Sequence, residues 1–170
     1  MLSNLLSSKE YFRQLNVIFI ALLATQMLMA IAAFIFINFN MIIPVFKNTS
    51  DPFYILVPIL LIFFIVLGNI VFRKKLSICK SQKEIIKKMT FYREAIIVLL
   101  ASIETVSIFS SIAYLLTSKM MFLVLTVTII VYFLTKRPNS ITAINHLELN
   151  NTEQILVNDP SAPICEKVVK

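Results

Sequence analysis

Long apolar segments dominate this sequence and limit what the chain can fold into. The segment Ala95–Thr117, AIIVLLASIETVSIFSSIAYLLT, is long enough to cross a bilayer as a helix, because the hydrocarbon core needs about 20 such residues. Hydrophobic residues make up 58% of the 170-residue chain, whereas soluble domains contain about 45–50%. We therefore predict an all-α integral membrane protein, with spans near residues 15–39, 53–72, 95–117 and 120–135.

The positions of the cations predict how these spans are oriented. Lys and Arg in short loops mark the cytoplasmic side of a membrane. Most of the cations lie near the two ends of the chain or in the connection between the second and third spans. Those of the connection form the predicted basic surface: Arg73, Lys74, Lys75, Lys80, Lys83, Lys87, Lys88 and Arg93. We therefore expect both termini and this connection to face the cytoplasm, with the protein in the inner membrane of a bacterium.

A long stretch without helix breakers predicts the helical layout. No Gly or Pro occurs between Asn69 and Arg137, so the connection is expected to consist of helical extensions of the second and third spans, joined near Ser81. Gly68, the only glycine of the chain, is expected at a close helix contact. The predicted fold of residues 1–137 is an antiparallel four-helix bundle in the membrane, with cytoplasmic extensions of helices 2 and 3.

Residues 138–170 are predicted to form a cytoplasmic tail that is partly helical and then disordered. Asn150 and Glu153 have the spacing of a capping box in front of an apolar run, which predicts the start of a short helix. Prolines at positions 160 and 163 interrupt that helix, and the last ten residues are expected to be disordered. His146, the only histidine of the chain, is expected on the surface of the tail.

A candidate polar site lies within the third span. Glu104 is the only acidic residue in any of the apolar segments. A carboxylate inside a bilayer costs several kcal/mol unless it is protonated, paired or hydrated. On a helical wheel, Glu104 shares a side with two serines of its helix, and we expect it to pack inward against an amide of the first span and a hydroxyl of the fourth. The predicted intramembrane polar site consists of Glu104, Gln26, Ser107, Ser111, Thr128 and Tyr132.

Three hypotheses for Glu104 remain open from the sequence. The carboxyl group serves as an ion or proton site, it forms an internal hydrogen bond that fixes the register of the helices, or it pairs with a basic residue of a partner protein. Membrane glutamates are often functional, but no second acid or histidine accompanies this one in the apolar segments, as a proton relay would need.

The basic connection between the second and third spans has two interpretations. Its cations are the ordinary topological signal of a cytoplasmic loop, which we favour, or they also attract anionic lipid, at about 1 kcal/mol for each nearby charge. We expect no binding of nucleic acid. The chain has no phosphate-binding loop, nucleophile motif or sequence cluster of metal ligands, so we predict neither an enzyme nor a bound metal or cofactor.

Two short sequences resemble parts of a known family. Thr25-Gln26 in the first span and Glu104-Thr105 in the third are similar to segments of the rotary-ATPase proteolipids. In that family a membrane glutamate and a glutamine on a neighbouring helix bind the transported ion, so the resemblance implies an ion site at Glu104 and Gln26. The resemblance is local, since the family packs its inner helices with many glycines. As a whole the chain is similar to small uncharacterised four-span proteins of bacterial inner membranes, which implies no activity.

These observations predict a non-enzymatic membrane protein that binds other membrane proteins as an accessory or assembly subunit, or that associates with itself. The prediction depends on the small and polar faces of the first and third spans, because small residues let helices approach closely and hydroxyl groups bond across the contact. The alternative is a proton- or cation-coupled channel or transporter that uses Glu104.

Overall fold

Helices account for almost all of the regular structure. The computed structural model describes residues 5–46 and 53–166, with only the backbone described at 53, 54 and 56. Its elements in chain order are β1 Leu5–Ser7, α1 Ser8–Asn38, α2 Phe53–Ser81, α3 Ile85–Thr117, α4 Met120–Leu134, α5 Ser140–Leu147, α6 Asn151–Asn158 and β2 Pro163–Glu166. Within these residues the predicted helical class is confirmed, apart from the two short strands.

Three helices in the described part of the chain are long and apolar enough to cross a membrane. They are Ser8–Asn38, Val57–Ser81 within α2, and Ile85–Thr117, with mean hydropathies of 2.4, 2.0 and 2.1 over an 18-residue window. The fourth apolar helix, α4, is shorter. It has 15 residues, which corresponds to about 22 Å at 1.5 Å per residue. The chain therefore has the character of an integral membrane protein.

Local hydrogen bonds and the absence of breakers explain where the helices begin and end. The break between α2 and α3 follows Ser81, which confirms the predicted join. Helix α1 begins well ahead of the predicted span, because Ser7 and Glu10 form a capping box. The Ser7 N–H donates to Glu10 Oε2 and the Glu10 N–H donates to Ser7 Oγ, both at 3.4 Å.

The chain folds into two compact units. The terminal unit contains the described residues up to Phe19, the segment Ile70–Leu99 and the described residues from Arg137 onward. The apolar unit contains the described residues of Ile20–Asn69 together with Leu100–Lys136. The predicted domain boundary at residue 137 is close to one of these divisions. The tail, however, shares its unit with the start of α1 and with the α2–α3 connection.

The terminal unit has an apolar core of its own. Tyr11 of α1, Met89 of α3 and Ile164 of β2 are fully buried in it. The hydroxyl of Tyr11 donates to the backbone oxygen of Met89 at 2.9 Å, so the polar end of this tyrosine is satisfied inside the core. Three segments that are distant in sequence thus share one core.

The end of the tail differs from the predicted disorder. Pro163–Glu166 is strand β2, which runs antiparallel to β1 with Leu6 opposite Cys165. Ile164 and Cys165 are both fully buried, so apolar burial and strand pairing offset the conformational entropy lost on ordering. Residues 167–170, to which the prediction of disorder also applies, lie outside the described residues.

The apolar unit contains close contacts between helices. A Cβ atom placed on Gly68 would lie 2.7 Å from the Cβ of Ser102, so α2 and α3 meet there almost backbone to backbone, and the expected close contact at Gly68 is confirmed. On α1, Gln26, Ala30 and Ala33 form a buried stripe at helical spacing. Most other large apolar side chains of α1 and α2 are exposed.

Candidate functional site

The predicted intramembrane polar site is partly buried in the apolar unit. Three of its six members, Gln26, Ser107 and Ser111, are fully buried. Glu104 and Tyr132 are half-buried. Among the side chains that the structure describes, no hydrogen bond joins Glu104 to Gln26. The six residues therefore do not form a single connected cluster of hydrogen bonds.

Thr128 is exposed, which corrects its predicted place in the site. Its hydroxyl donates to the carbonyl of Val124 in the same helix at 2.9 Å. The buried face of α4 includes Thr126, Ile129 and Phe133 at helical spacing, and position 128 is rotated away from that face. The buried hydroxyl of α4 is therefore that of Thr126.

Serine hydroxyls connect α3 to α4. Ser110 Oγ donates to the backbone oxygen of Phe122 at 2.9 Å. Ser111 Oγ lies 3.0 Å from the backbone oxygen of Ser107 and 3.5 Å from Thr126 Oγ1. Hydroxyl bonds of this kind stabilise contacts between apolar helices, and they explain why Ser111 is buried.

Glu104 lies at the edge of the buried face of α3. Its neighbours Ile103 and Ser107 are buried, whereas Thr105 is exposed. Thr105 satisfies its own hydroxyl by donating to the carbonyl of Ala101 at 2.9 Å. The Glu104 carboxyl group makes no hydrogen bond or ion pair with the side chains and backbone that the structure describes. It is a half-exposed acid on an apolar helix.

Two fully buried polar atoms of the apolar unit have no hydrogen-bond partner among the described residues. They are Gln26 Oε1 and Ser107 Oγ. The amide nitrogen of Gln26 donates to the carbonyl of Leu22 at 3.3 Å, so only one end of this amide is satisfied. Unpaired buried polar atoms are rare in folded proteins and need a physical explanation.

Tyr132 has surroundings different from those of the other predicted site residues. The ammonium group of Lys136 lies 4.9 Å from the centroid of its ring. A cation over an aromatic face contributes about 0.5–1 kcal/mol at an exposed position. Tyr132 therefore belongs to the charged end of α4, as expected for a tyrosine near the end of a span.

The cations of the basic connection are largely engaged inside the terminal unit. Four of the eight form ion pairs, which are Lys75–Glu94 at 3.6 Å, Lys80–Glu148 at 2.6 Å, Lys87–Glu84 at 3.2 Å and Lys88–Glu153 at 2.6 Å. Two of these acids belong to the tail. The side chains of Lys88 and Glu153 are only 13% and 12% exposed, so this ion pair is shielded from solvent.

Arg93 is buried, which corrects its predicted place on the basic surface. Its guanidinium group donates to the backbone oxygen of Glu166 at 3.3 Å and so holds the end of β2. Arg73, Lys74 and Lys83 are exposed and form no ion pair with the residues that the structure describes. Lys88 and Arg93 are therefore the two cations of the predicted basic surface that are shielded from solvent, whereas the paired Lys75, Lys80 and Lys87 keep side chains that are 38%, 35% and 55% exposed.

The capping box predicted for the tail is confirmed. The Glu153 N–H donates to Asn150 Oδ1 at 2.9 Å, and the Asn150 N–H donates to Glu153 Oε2 at 3.0 Å. The other carboxylate oxygen of Glu153 accepts from Lys88 Nζ. One side chain therefore both starts α6 and attaches this helix to α3.

His146 is half-buried and does not lie free on the surface as predicted. Its Nδ1 atom is 3.1 Å from the hydroxyl oxygen of Tyr92 on α3. Its ring packs edge to face against Phe72 of α2, with 5.4 Å between the ring centroids. Helix α5 is thus held against both helices of the connection.

Among the described residues, no group of three His, Cys, Asp or Glu side chains is placed to hold a metal ion. Cys79 and Cys165 are free thiols and are buried. Burial raises the pKa of the Cys165 thiol, which lowers its thiolate fraction at neutral pH and makes it a weak nucleophile.

Comparison with protein-family models, with curated proteins and with solved structures yields no match for this chain. The resemblance to the rotary-ATPase proteolipids therefore stays limited to the two short sequences that carry it.

Proposed function

We propose that the chain crosses the membrane four times, as an antiparallel four-helix bundle, with both ends and the α2–α3 connection in the cytoplasm. The terminal unit supports this topology because it unites the start of α1, the connection and the tail. These three segments must share one side of any membrane that α1, α2 and α3 cross. Helix α4 then has to return the chain to that side. The cations favour the cytoplasmic side, which in a bacterium means the inner membrane.

The proposed function is that of an accessory or assembly subunit that binds another membrane protein along the flank of α3 carrying Glu104. The observation that carries this proposal is the half-exposed Glu104 carboxyl group without a partner among the described residues. An acid near the middle of a span costs about 2.5–3.5 kcal/mol when it faces lipid. A basic or hydrogen-bond-donating side chain of a partner helix would remove this cost.

The two other hypotheses for Glu104 have less support. A register-fixing role needs an internal hydrogen bond, and the described residues supply none to this carboxyl group. An ion or proton site needs further ligands or relay groups, and the described residues include no cluster of titratable metal-binding side chains. The proton- or cation-coupled transporter remains the rival proposal.

A photo-crosslinking experiment tests the proposed partner surface. A photoreactive amino acid replaces Thr105, which is exposed beside Glu104, or Ile59, which is exposed on α2. After irradiation of intact membranes, we expect position 105 to give one discrete crosslinked product with another membrane protein or a second copy. We expect position 59 to give only diffuse products with lipid. Equal patterns at the two positions would contradict a partner on the α3 flank.

Substitution of the acid separates the two functions. Glu104→Gln is expected to abolish the crosslink from position 105, whereas Glu94→Gln, the same change on the polar part of the same helix, is expected to leave it intact. If Glu104→Gln preserves the crosslink but abolishes proton or cation flux in liposomes containing the purified protein, the accessory function is wrong and the transporter is favoured.

A further inference from the structure

A surface cavity of about 560 Å³ lies at the start of α1. All of its lining residues belong to the terminal unit, and they are Leu6, Glu10, Arg13, Gln14, Val17 and Ile18. Those on α1 are spaced three or four positions apart, so they lie on one face of the helix. The cavity is therefore a single strip along the outside of α1.

The lining of this cavity changes from polar to apolar along the helix axis. Glu10 comes first, Arg13 and Gln14 follow, and Val17 and Ile18 come last. Arg13 is the last charged residue of the sequence before Lys47, so a membrane crossed by α1 begins just beyond it. Residues 10–14 cover about 6 Å of the axis, and the headgroup layer of one leaflet is about 5–8 Å thick. The polar part of the cavity thus matches that layer, and the apolar part matches the start of the acyl chains.

The two charged groups of the cavity are available to a ligand. Glu10 and Arg13 are one turn apart, a spacing at which opposite charges can pair, but no ion pair joins them. Arg13 makes no hydrogen bond or ion pair with the residues that the structure describes. Glu10 Oε2 accepts from the Ser7 N–H at 3.4 Å, which leaves Oε1 without a hydrogen bond to the described residues. One cation and one anion therefore face the same cavity.

We propose that this cavity binds one phospholipid whose headgroup carries a primary ammonium, a phosphatidylethanolamine. Arg13 and Gln14 donate hydrogen bonds to the phosphate, Glu10 accepts from the ammonium, and Val17 contacts the first part of an acyl chain. From water toward the hydrocarbon core, such a lipid presents its ammonium, then its phosphate, then its acyl chains, which is the order of the side chains that meet them. The inference rests on the proposed membrane topology, because α1 has to cross the bilayer, and it does not depend on a partner at Glu104.

The same geometry disfavours two other common phospholipids. Phosphatidylcholine carries a trimethylated ammonium without an N–H group, so it has no hydrogen bond to donate to Glu10. Phosphatidylglycerol has a phosphate for Arg13 but no cation for Glu10, and its negative charge is repelled by this carboxylate. Selectivity among the three lipids is therefore the signature of the site.

Native mass spectrometry of the purified full-length protein in detergent tests this selectivity, with the dioleoyl forms of the three phospholipids added in equal amounts. The first molecule of phosphatidylethanolamine is expected to bind about tenfold more tightly than phosphatidylcholine, because a hydrogen bond to an exposed charged group lies at the lower end of its range. Equal binding of the three lipids would indicate ordinary boundary lipid and overturn the proposal. Equally tight binding of soluble glycerophosphoethanolamine would also overturn it, since the acyl chain would then contribute nothing.

Three variants assign the selectivity to the cavity. Glu10→Gln keeps a residue suited to the capping box and is expected to lower the affinity for phosphatidylethanolamine to that for phosphatidylcholine. Arg13→Gln is expected to weaken all three lipids about tenfold through the lost phosphate contact. Lys9→Gln is the matched control, since Lys9 is exposed but does not line the cavity, and it should change each affinity by less than about twofold. Equal losses in Lys9→Gln and Arg13→Gln would mean that net charge alone attracts the lipid, and the proposal would be wrong.

Failure of this site can be told apart from failure of the proposed function. If the crosslink from position 105 forms but phosphatidylethanolamine is not preferred, the lipid site is wrong and the partner surface stands. If the lipid preference and its loss in Glu10→Gln are observed without that crosslink, the lipid site is supported and the partner surface is wrong.

Discussion

Removing the ammonium group of Lys88 is expected to release α6 from α3 while the rest of the chain stays folded. The ion pair between Lys88 and Glu153 is short and shielded, at 2.6 Å and with side chains only 13% and 12% exposed. Removing one partner of a buried pair costs about 3–5 kcal/mol. Because solvent still reaches part of this pair, we expect the lower end, about 3 kcal/mol, for Lys88→Met. That cost corresponds to roughly a 100-fold larger equilibrium constant for local opening.

Hydrogen exchange followed by mass spectrometry measures this opening in detergent-solubilised protein. Amides of α6 should exchange about 100-fold faster in Lys88→Met than in the parent chain. Lys87→Met is the matched control, since Lys87 pairs with Glu84 at 3.2 Å with side chains that are 55% and 66% exposed. An exposed pair of this kind contributes about 0.3–0.5 kcal/mol, so exchange in α6 should change by less than about threefold.

Glu153→Gln separates the ion pair from the helix cap. Glutamine also serves at this position of a capping box, so the start of α6 should persist while the charge opposite Lys88 is lost. Exchange in α6 should again rise well above that of the Lys87→Met control. Equal exchange in the Lys88→Met and Lys87→Met variants would refute the view that this ion pair fastens the tail.

Three further predictions concern other contacts. Gly68→Ala should lower the free energy of unfolding by about 1–3 kcal/mol, because the Cβ of the alanine would meet Ser102. If the second substitution Ser102→Gly restores none of this loss, the contact with Ser102 is not its cause. Burial raises the pKa of the Cys165 thiol, so the free energy of unfolding should fall as the pH rises past the ordinary thiol pKa of about 8.5. At about pH 9, where the unfolded thiol is largely ionised, iodoacetamide should modify this thiol more slowly in the folded protein than in the unfolded chain. Asn150→Ala removes the N-cap of α6 and should destabilise this helix by about 1 kcal/mol, whereas Asn151→Ala should not. Hydrogen exchange of the α6 amides measures both effects.

Local patterns in the sequence predict the features that depend on neighbouring residues. The break after Ser81 follows from helix propensity in a stretch without Gly or Pro, and the start of α6 follows from the spacing of Asn150 and Glu153. The contact at Gly68 follows from the absence of a side chain. Each of these signals lies within a few residues of the structure that it predicts.

The folded tail could not be predicted in the same way. Its attachment depends on pairs such as Lys80 with Glu148, which are 68 positions apart, and a basic loop that binds an acidic tail has the same composition as a basic loop that marks the cytoplasm. The signal in the sequence is the match between the acids of the tail and the lysines of the connection. The sequence places Arg93 on the basic surface for the same reason, because its partner is a backbone oxygen of the distant β2.

A helical wheel gives the direction of each side chain on its own helix but not the neighbours that pack against it. It grouped Glu104 with Ser107 and Ser111, and the structure buries the two serines while leaving the acid at the edge of the same face. On α4 the wheel does not show which side meets α3, so the sequence predicts Thr128 for the site, whereas the structure buries Thr126. Burial depends on the packing of several helices, which no single segment encodes.

Sided cysteine labelling tests the central claim that the α2–α3 turn and the tail lie on one side of a membrane and the α3–α4 turn lies on the other. Lys83→Cys, Asn151→Cys and Lys119→Cys are made singly in a chain whose own Cys79 and Cys165 are buried. In intact cells a membrane-impermeant maleimide is predicted to modify position 119 alone, and positions 83 and 151 only after permeabilisation. Modification of positions 83 and 151 from opposite sides would contradict the shared terminal unit and the four-span topology together.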